Sequence, residues 1–307
     1  MRDGVTGPAI WAFASGKGGV GKSVIAANLA VLLARAGRRT VLVDADLGGA
    51  NLHTILGMTS PKLTLSDFIN RRVSALDDVV VPTPIPGLAL VSGTRAFLES
   101  TNPSHTQKEK ILRHVAALRA DDVLLDLGAG SSFNVLDFFL VSKRSIVVVI
   151  PEPTSVENTY QFIRSAFYRK LKRAEPRAAV QDVISRIMAE RTQREIHSPR
   201  DLVREAARLD PVVGEALENE ARTFAPAIVL NQVRVGEQSL GDDIRAACLD
   251  YFGSPVEYVG WVEADPLVSR SVQERRPAVE LFPQSAFSRC VGVLAERLLK
   301  AGEVGGG

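Results

Sequence analysis

The chain has 307 residues, 46% of them hydrophobic and 23% charged, and a formal net charge of +2. That length holds two average domains or one large α/β domain, and the composition is that of a globular chain able to bury a sizeable core, not of a disordered or fibrous one. The near-neutral charge demands no anionic partner, and the two distant cysteines, Cys248 and Cys290, form no CxxC pair, which leaves a sequence-local thiolate metal site unsupported and points to reduced intracellular thiols.

The opening residues lack a basic stretch followed by an apolar one, and the apolar runs at 10–13 and 145–151 are too short to span a bilayer. The expected location is therefore cytoplasmic, with a membrane surface or cell pole as a peripheral station. In chain order, residues 9–15 read as a short buried strand entering a Gly-rich turn. Residues 23–36 carry Ile25, Leu29, Leu32 and Leu33 at helical spacing, and Gly37 follows as the stop. Residues 40–44 form a second apolar run that ends in acid. Strand, turn, helix and strand make a βαβ unit, which favours a parallel sheet.

The alternation continues. Residues 88–91 and 123–126 read as strands, with a helix over 108–119 between them. Residues 145–150 are β-branched, as suits a strand buried on both faces. Later strands are expected at 227–231 and 258–261, and a last helix over 286–300 with Phe287, Val291, Leu294 and Leu298 on one stripe. The tail at 305–307 should be loose. From about 171 to 223 the pattern breaks into charged helices, for example 180–195 and 201–209, with breaks at Ser198-Pro199 and Asp210-Pro211 and a cap near Ser198 or Asp201. The expectation is one α/β domain over 1–307, a mostly parallel twisted sheet with helices on both faces, carrying a helical insert at about 171–223.

Residues Gly16 to Ser23 fit GxxxxGK(S/T). Glycines let successive backbone N–H groups turn inward around phosphate oxygens, and the next helix aims its N-terminus at the same anion. Lys22 can reach the β- and γ-phosphates, and the Ser23 hydroxyl can ligate Mg²⁺. Gly18, Gly19, Val20, Gly21, Lys22, Ser23 and Val24 are the candidate nucleotide-binding residues of this loop.

The same loop holds a second lysine, Lys17, and here the chain resembles the deviant Walker A ATPases of the MinD/ParA class, whose loop reads KGGxGK(S/T). The resemblance implies a P-loop fold, ATP and Mg²⁺ as ligands, and an ATP-dependent homodimer in which Lys17 reaches the partner's phosphates. Asp44-Ala45-Asp46-Leu47-Gly48-Gly49-Ala50-Asn51-Leu52 resembles switch I of that class. It implies that Asp46 positions the attacking water and that Asp44 supports the metal shell. Residues 123–130, ending Asp126-Leu127-Gly128-Ala129-Gly130, resemble its Walker B strand and switch II, with Asp126 on Mg²⁺ and the Gly130 N–H toward the γ-phosphate. Ile228 to Val233 resembles the strand whose terminal Asn, Asn231 here, binds adenine. Lys17, Lys22 and Asp46 are the implied catalytic set, and Ser23, Asp44 and Asp126 the implied metal set.

The switch I wording resembles the MinD and FlhG (FleN) branch more than the partition branch, which usually has DxDPQ. The implied role is a switch ATPase that positions or counts a cellular structure, a flagellum or a division site, with a protein activator or cargo adaptor. A ParA-like DNA or cargo partitioning ATPase is the alternative, and a metabolic enzyme of the same fold a further one. The FlhG branch often carries an activating N-terminal extension, whereas the first strand is expected here by about residue 9, so an activating role is not expected. Two surfaces are candidates for reversible contact with membrane or DNA. One is the insert, where residues 164–208 hold 12 Lys/Arg against 6 Asp/Glu; the other is the stripe on the last helix.

Overall fold

A computed structural model of the chain describes residues 7–46, 49–93, 105–174, 183–187 and 196–304. In order, the elements are β1 (Ala9–Ser15), α1 (Lys22–Arg35), β2 (Thr40–Ala45), α2 (Leu52–Ile55), α3 (Leu65–Ile69), β3 (Val80–Pro82) and β4 (Leu88–Val91). Then come α4 (His105–Ala116), β5 (Asp122–Ala129), α5 (Phe133–Val141), β6 (Arg144–Val149), α6 (Pro153–Ala174) and a helical segment α7 (183–187). The chain continues with α8 (Pro199–Leu209), α9 (Pro211–Arg222), β7 (Ala227–Val233), α10 (Leu240–Phe252), β8 (Glu257–Glu263), α11 (Pro266–Gln273), α12 (Ala278–Leu281) and α13 (Ala286–Val304).

Among the described residues eight strands form one sheet in the order β3-β4-β2-β5-β1-β6-β7-β8. Every neighbouring pair is parallel except β3 with β4. The central strands are apolar throughout because both faces are covered. In β1, Trp11 and Phe13 enter the core against α1 and α13, while Ala12 and Ala14 enter the core on the other side. Helix α1 is rich in alanine and buries Ile25, Leu29 and Leu33, so it lies close to the sheet. This is the expected α/β class. Helix α4 begins and ends three residues earlier than the spacing predicts, at His105 and Ala116.

The insert is helical as expected, and its breaks are capped. Ser198 Oγ accepts the Asp201 N–H at 3.1 Å, and Asp201 Oδ2 accepts the Ser198 N–H at 2.9 Å, a reciprocal box that starts α8. Asp210 ends α8 and caps α9 by accepting the Val212 and Val213 N–H groups at 2.9 and 3.1 Å. Of the helix expected over 180–195, only 183–187 lies among the described residues. Val183, Ile184, Ile187, Leu202, Ala206 and Leu217 share one buried cluster with Val147 of β6 and Leu230 of β7.

One surface expectation is corrected and one is narrowed. The stripe on the last helix faces the core: Phe287, Val291, Leu294 and Leu298 are all buried, so the stripe itself has no apolar face to offer a lipid surface. Part of the basic charge of the insert region is paired within the molecule. Arg169 and Arg173 pair with Asp137, Lys170 with Glu220, Arg204 with Asp201 and Arg208 with Glu205. Among the described residues no helix is long and apolar enough to cross a membrane.

Candidate nucleotide site

Strands β1, β2 and β5 run parallel, so their C-terminal ends open on one edge, where ligands of open α/β sheets bind. Register brings the acids together there: Asp44 of β2 lies beside Asp126 of β5, which also neighbours Phe13 of β1. The loop leaving β1 turns directly into α1, whose first residue is Lys22. The Lys22 ammonium is buried and ion-paired with Asp126, and its Nζ stands 3.5 Å from Ser23 Oγ. The Ser23 hydroxyl also hydrogen-bonds Asp126. Lys22, Ser23, Asp44 and Asp126, predicted from three separate stretches, therefore form one cluster.

Its electrostatics favour a cation. Burial, then the charge of Asp126, pushes the Asp44 carboxyl up to about 7, against the Leu52 N–H, which donates to it at 3.1 Å. Burial raises Asp126 too, despite Lys22. Two buried acids share one lysine, so the cluster is short of positive charge. Two carboxylates and a hydroxyl suit a hard divalent ion such as Mg²⁺, but are too few to cage it without phosphate and water oxygens. Among the described residues no group of three His, Cys, Asp or Glu offers a metal cage.

The loop is shaped by close approaches at its two ends. A Cβ on Gly16 would meet the Asn158 carbonyl oxygen of α6 at 2.3 Å. Gly21 has φ 85°, and a Cβ there would meet Asn231 Nδ2 at 2.4 Å. The Asn231 amide donates to the Val20 carbonyl at 2.7 Å, so the buried end of β7 is tied to the phosphate loop. Beside it opens a cavity of about 420 Å³, lined by Gly21, Val24, Asn231 and Gln232 and, from the end of β8 and the chain after it, Glu263, Asp265 and Pro266. Its size suits a small-molecule pocket. With one Nδ2–H committed to Val20, the Asn231 amide keeps its oxygen as an acceptor and its second N–H as a donor, and the oxygen is the complement of an exocyclic amine.

Asp46 lies at the end of β2, with its carboxylate beside Gly49 and Gly128: a Cβ on either glycine would stand 3.5 Å from it. It thus lies across the site from Gly128 of β5. Leu47 and Gly48 lie outside the described residues. Gly130 departs from expectation. Its N–H does not face a phosphate position but donates to the Ser15 carbonyl at 2.9 Å, because the β1–β5 pairing runs on to Ala129 beside Ser15. Lys17 lies beside the loop, not over Lys22. Its Nζ pairs with Glu152 at 2.7 Å and Thr154 Oγ1 at 3.3 Å, both at the start of α6.

Sequence reasoning missed several residues. Glu152 and Thr154 hold Lys17 from 135 and 137 residues away. Gln232 adopts φ 57° where the β7–β8 pairing shifts, and so turns into the pocket wall. Asp265 caps α11 through the Leu267 N–H at 2.9 Å and also accepts the Phe287 N–H at 3.1 Å. Burial pushes its carboxyl up, but these backbone donors outweigh burial and hold it below the ordinary range. Two stretches carried a signal by resemblance, 151–160 as a strand-to-helix segment and 260–266 as a base-side loop, but neither assigned a role to a residue.

The model of the CobQ/CobB/MinD/ParA nucleotide binding domain matches residues 11–278. The antiactivator FleN of Pseudomonas aeruginosa is 27% identical over 288 residues, covering 94% of this chain and 85% of that protein. The flagellum site-determining protein YlxH of Helicobacter pylori is 24% identical over 308 residues, covering 96% and 83%. Among solved structures, the septum site-determining protein MinD of Pyrococcus horikoshii, complexed with Mg-ADP, matches with a TM-score of 0.65 at 21% identity. That match covers 97% of this chain and 98% of that one, and at such identity it shows the shared fold.

Proposed function

Because the chain belongs to the CobQ/CobB/MinD/ParA nucleotide-binding family, we propose that it is an ATP-dependent switch: it binds ATP with Mg²⁺, dimerises in that state, and hydrolyses ATP to ADP and phosphate. The observation that carries this reading is the acid pair Asp44 and Asp126, in register at the strand ends beneath Lys22 and Ser23. Lys22 and the backbone of residues 18–24 would hold the phosphates, and Ser23 and Asp126, with Asp44 behind them, the metal. Bound there, Mg²⁺ would offset phosphate charge and polarise the phosphoryl oxygens. Asp46 would orient the attacking water, and Asn231 would accept from the adenine amine. Lys17 would leave Glu152 to reach the partner's phosphates, as the resemblance implies. Residues 1–307, insert included, are read as one ATPase domain.

We place the switch in the branch that positions or counts a cellular structure. The support is the switch I wording and two relatives that match along nearly the whole chain, one a flagellum site-determining protein and the other an antiactivator. The test combines phosphate release with light scattering on purified protein in ATP or ADP. Turnover and an ATP-gated dimer are expected, and Asp46→Ala should trap that dimer with turnover lost. Rapid hydrolysis by Asp46→Ala would overturn the assignment. Co-sedimentation with anionic vesicles and with DNA, each with and without ATP, separates the positioning branch from DNA partitioning. ATP-dependent DNA binding alone would favour partitioning.

A further inference from the structure

Asp137 of α5 is 4% exposed, and three cations converge on its carboxylate. Lys108 of α4 reaches Oδ2 at 2.8 Å. Arg169 of α6 reaches both oxygens at 2.9 and 3.1 Å, and Arg173 reaches Oδ1 at 3.2 Å. The Lys108 and Arg169 side chains are only 10% and 26% exposed. Burial raises the Asp137 carboxyl, but Arg169 and Lys108 outweigh it and hold it below the usual range. Three positive charges thus meet one negative charge in a half-covered place. Among the described residues no second carboxylate pairs with any of the three. Surplus charge partly removed from water is costly unless an anion covers it.

The same cluster has an apolar neighbour. The Arg169 guanidinium lies over the Phe133 ring, 5.0 Å from its centroid. Phe133 is the first residue of α5 and is 69% exposed. An open aromatic ring beside arginines whose donors are, among the described residues, only partly engaged is the composition of protein–protein hot spots. Arg173 has two nitrogens left and Arg169 one, all outside the contacts with Asp137. A nucleic-acid backbone fits less well: it tracks a stripe of cations, and here the cations gather around a fixed carboxylate.

We infer that Phe133, Arg169 and Arg173 form a docking surface for an acidic protein segment that also carries an apolar side chain. Carboxylates of the segment pair with the free guanidinium donors, and the apolar group covers Phe133. This surface goes beyond the proposed ATPase and does not depend on it.

The test is fluorescence anisotropy with a labelled synthetic peptide of glutamates interrupted by two leucines, titrated with the full chain. Saturable binding is expected, weakened by salt. It should fall roughly tenfold or more in Phe133→Ala and Arg173→Glu, and in a peptide with every Glu replaced by Gln. Both substituted positions are surface-exposed, and thermal melts confirm that the variants fold. Phosphate release from ATP should be unchanged in both, so a wild type without turnover would sink the ATPase reading and leave this one standing. Equal binding by the variants, or none at millimolar peptide, overturns the inference. So does preferential binding of a DNA duplex at this surface, or self-association abolished by Phe133→Ala, which would give the face to a second copy.

Discussion

The Asn231 side-chain nitrogen sits 2.7 Å from the Val20 carbonyl oxygen, 211 residues away in sequence. This bond fixes which end of the amide looks into the cavity. Asn231→Ala should weaken ATP binding by about 1–3 kcal/mol, the worth of one buried hydrogen bond and the group it leaves unpaired. It should also narrow the preference for ATP over GTP, since the discriminating acceptor is gone. Competition binding with the two nucleotides checks both, and an unchanged ratio would remove Asn231 from base recognition.

Lys17 and Glu152 form an ion pair in which both side chains are partly exposed, 32% and 54%. Such pairs are worth roughly 0.2–1 kcal/mol. Lys17→Ala should leave nucleotide binding to the monomer intact and abolish the ATP-dependent dimer. Glu152→Gln should shift the dimerisation midpoint to lower protein concentration by about thirtyfold at most, since a homodimer releases two such lysines. Light scattering across a concentration series reads both, and an intact dimer in Lys17→Ala would refute a role for this lysine across the interface.

Asp44 gives a pH dependence with a definite sign. Its folded-state value is about 7 through burial and the Asp126 charge, against about 3.9 in an unfolded chain. Between those values the folded state binds more protons, so its contribution to stability is full below the window and is lost as pH rises through it. Nucleotide-free protein should melt at a lower temperature near pH 8 than near pH 6, by a margin worth about 1.4 kcal/mol, since most of the full window of about 4 kcal/mol lies below pH 6. Asp44→Asn should flatten that dependence. Parallel melting curves for wild type and variant across the range would count against a buried, raised carboxyl.

Asp122 is fully buried on β5. It accepts from Trp11 Nε1 at 3.1 Å and from both Nε and Nη2 of Arg38, the latter at 3.0 Å. Asp122→Ala removes the buried acceptor of the Trp11 indole N–H and of two Arg38 donors, and should cost about 3 kcal/mol or more. Denaturant unfolding measures this. Phosphate release from the folded fraction should be nearly unchanged, because the residue sits at the start of β5, away from the nucleotide end.

The phosphate loop and the acid-ended strands were legible because their signals are local. A glycine pattern, a helical spacing and a strand ending in Asp44 or Asp126 each occupy about ten residues. Asn231 was legible only through its resemblance, and its partner Val20 not at all, since nothing in a strand end says which loop it will meet. The same limit hid Glu152 from Lys17. The Gly130 N–H went astray because strand pairing continued three residues past the expected end, to Ala129, and claimed it. On α13 the spacing of Phe287, Val291, Leu294 and Leu298 was read correctly, but a core-facing stripe and a lipid-facing stripe have the same period. The charge of the insert was counted along the chain, whereas Asp137, which neutralises part of it, lies on another helix.

The insert's side chains share a core with β6 and β7, which makes it a buttress rather than an appendage. Trimming it back to the length of a plain connection would leave Phe167, Phe224 and Phe252, now packed ring against ring, open to water. Truncation of this segment is therefore a folding experiment before it is a functional one. A force applied to the insert by any binding partner would be delivered to the sheet itself, on the strands that end beside Asn231.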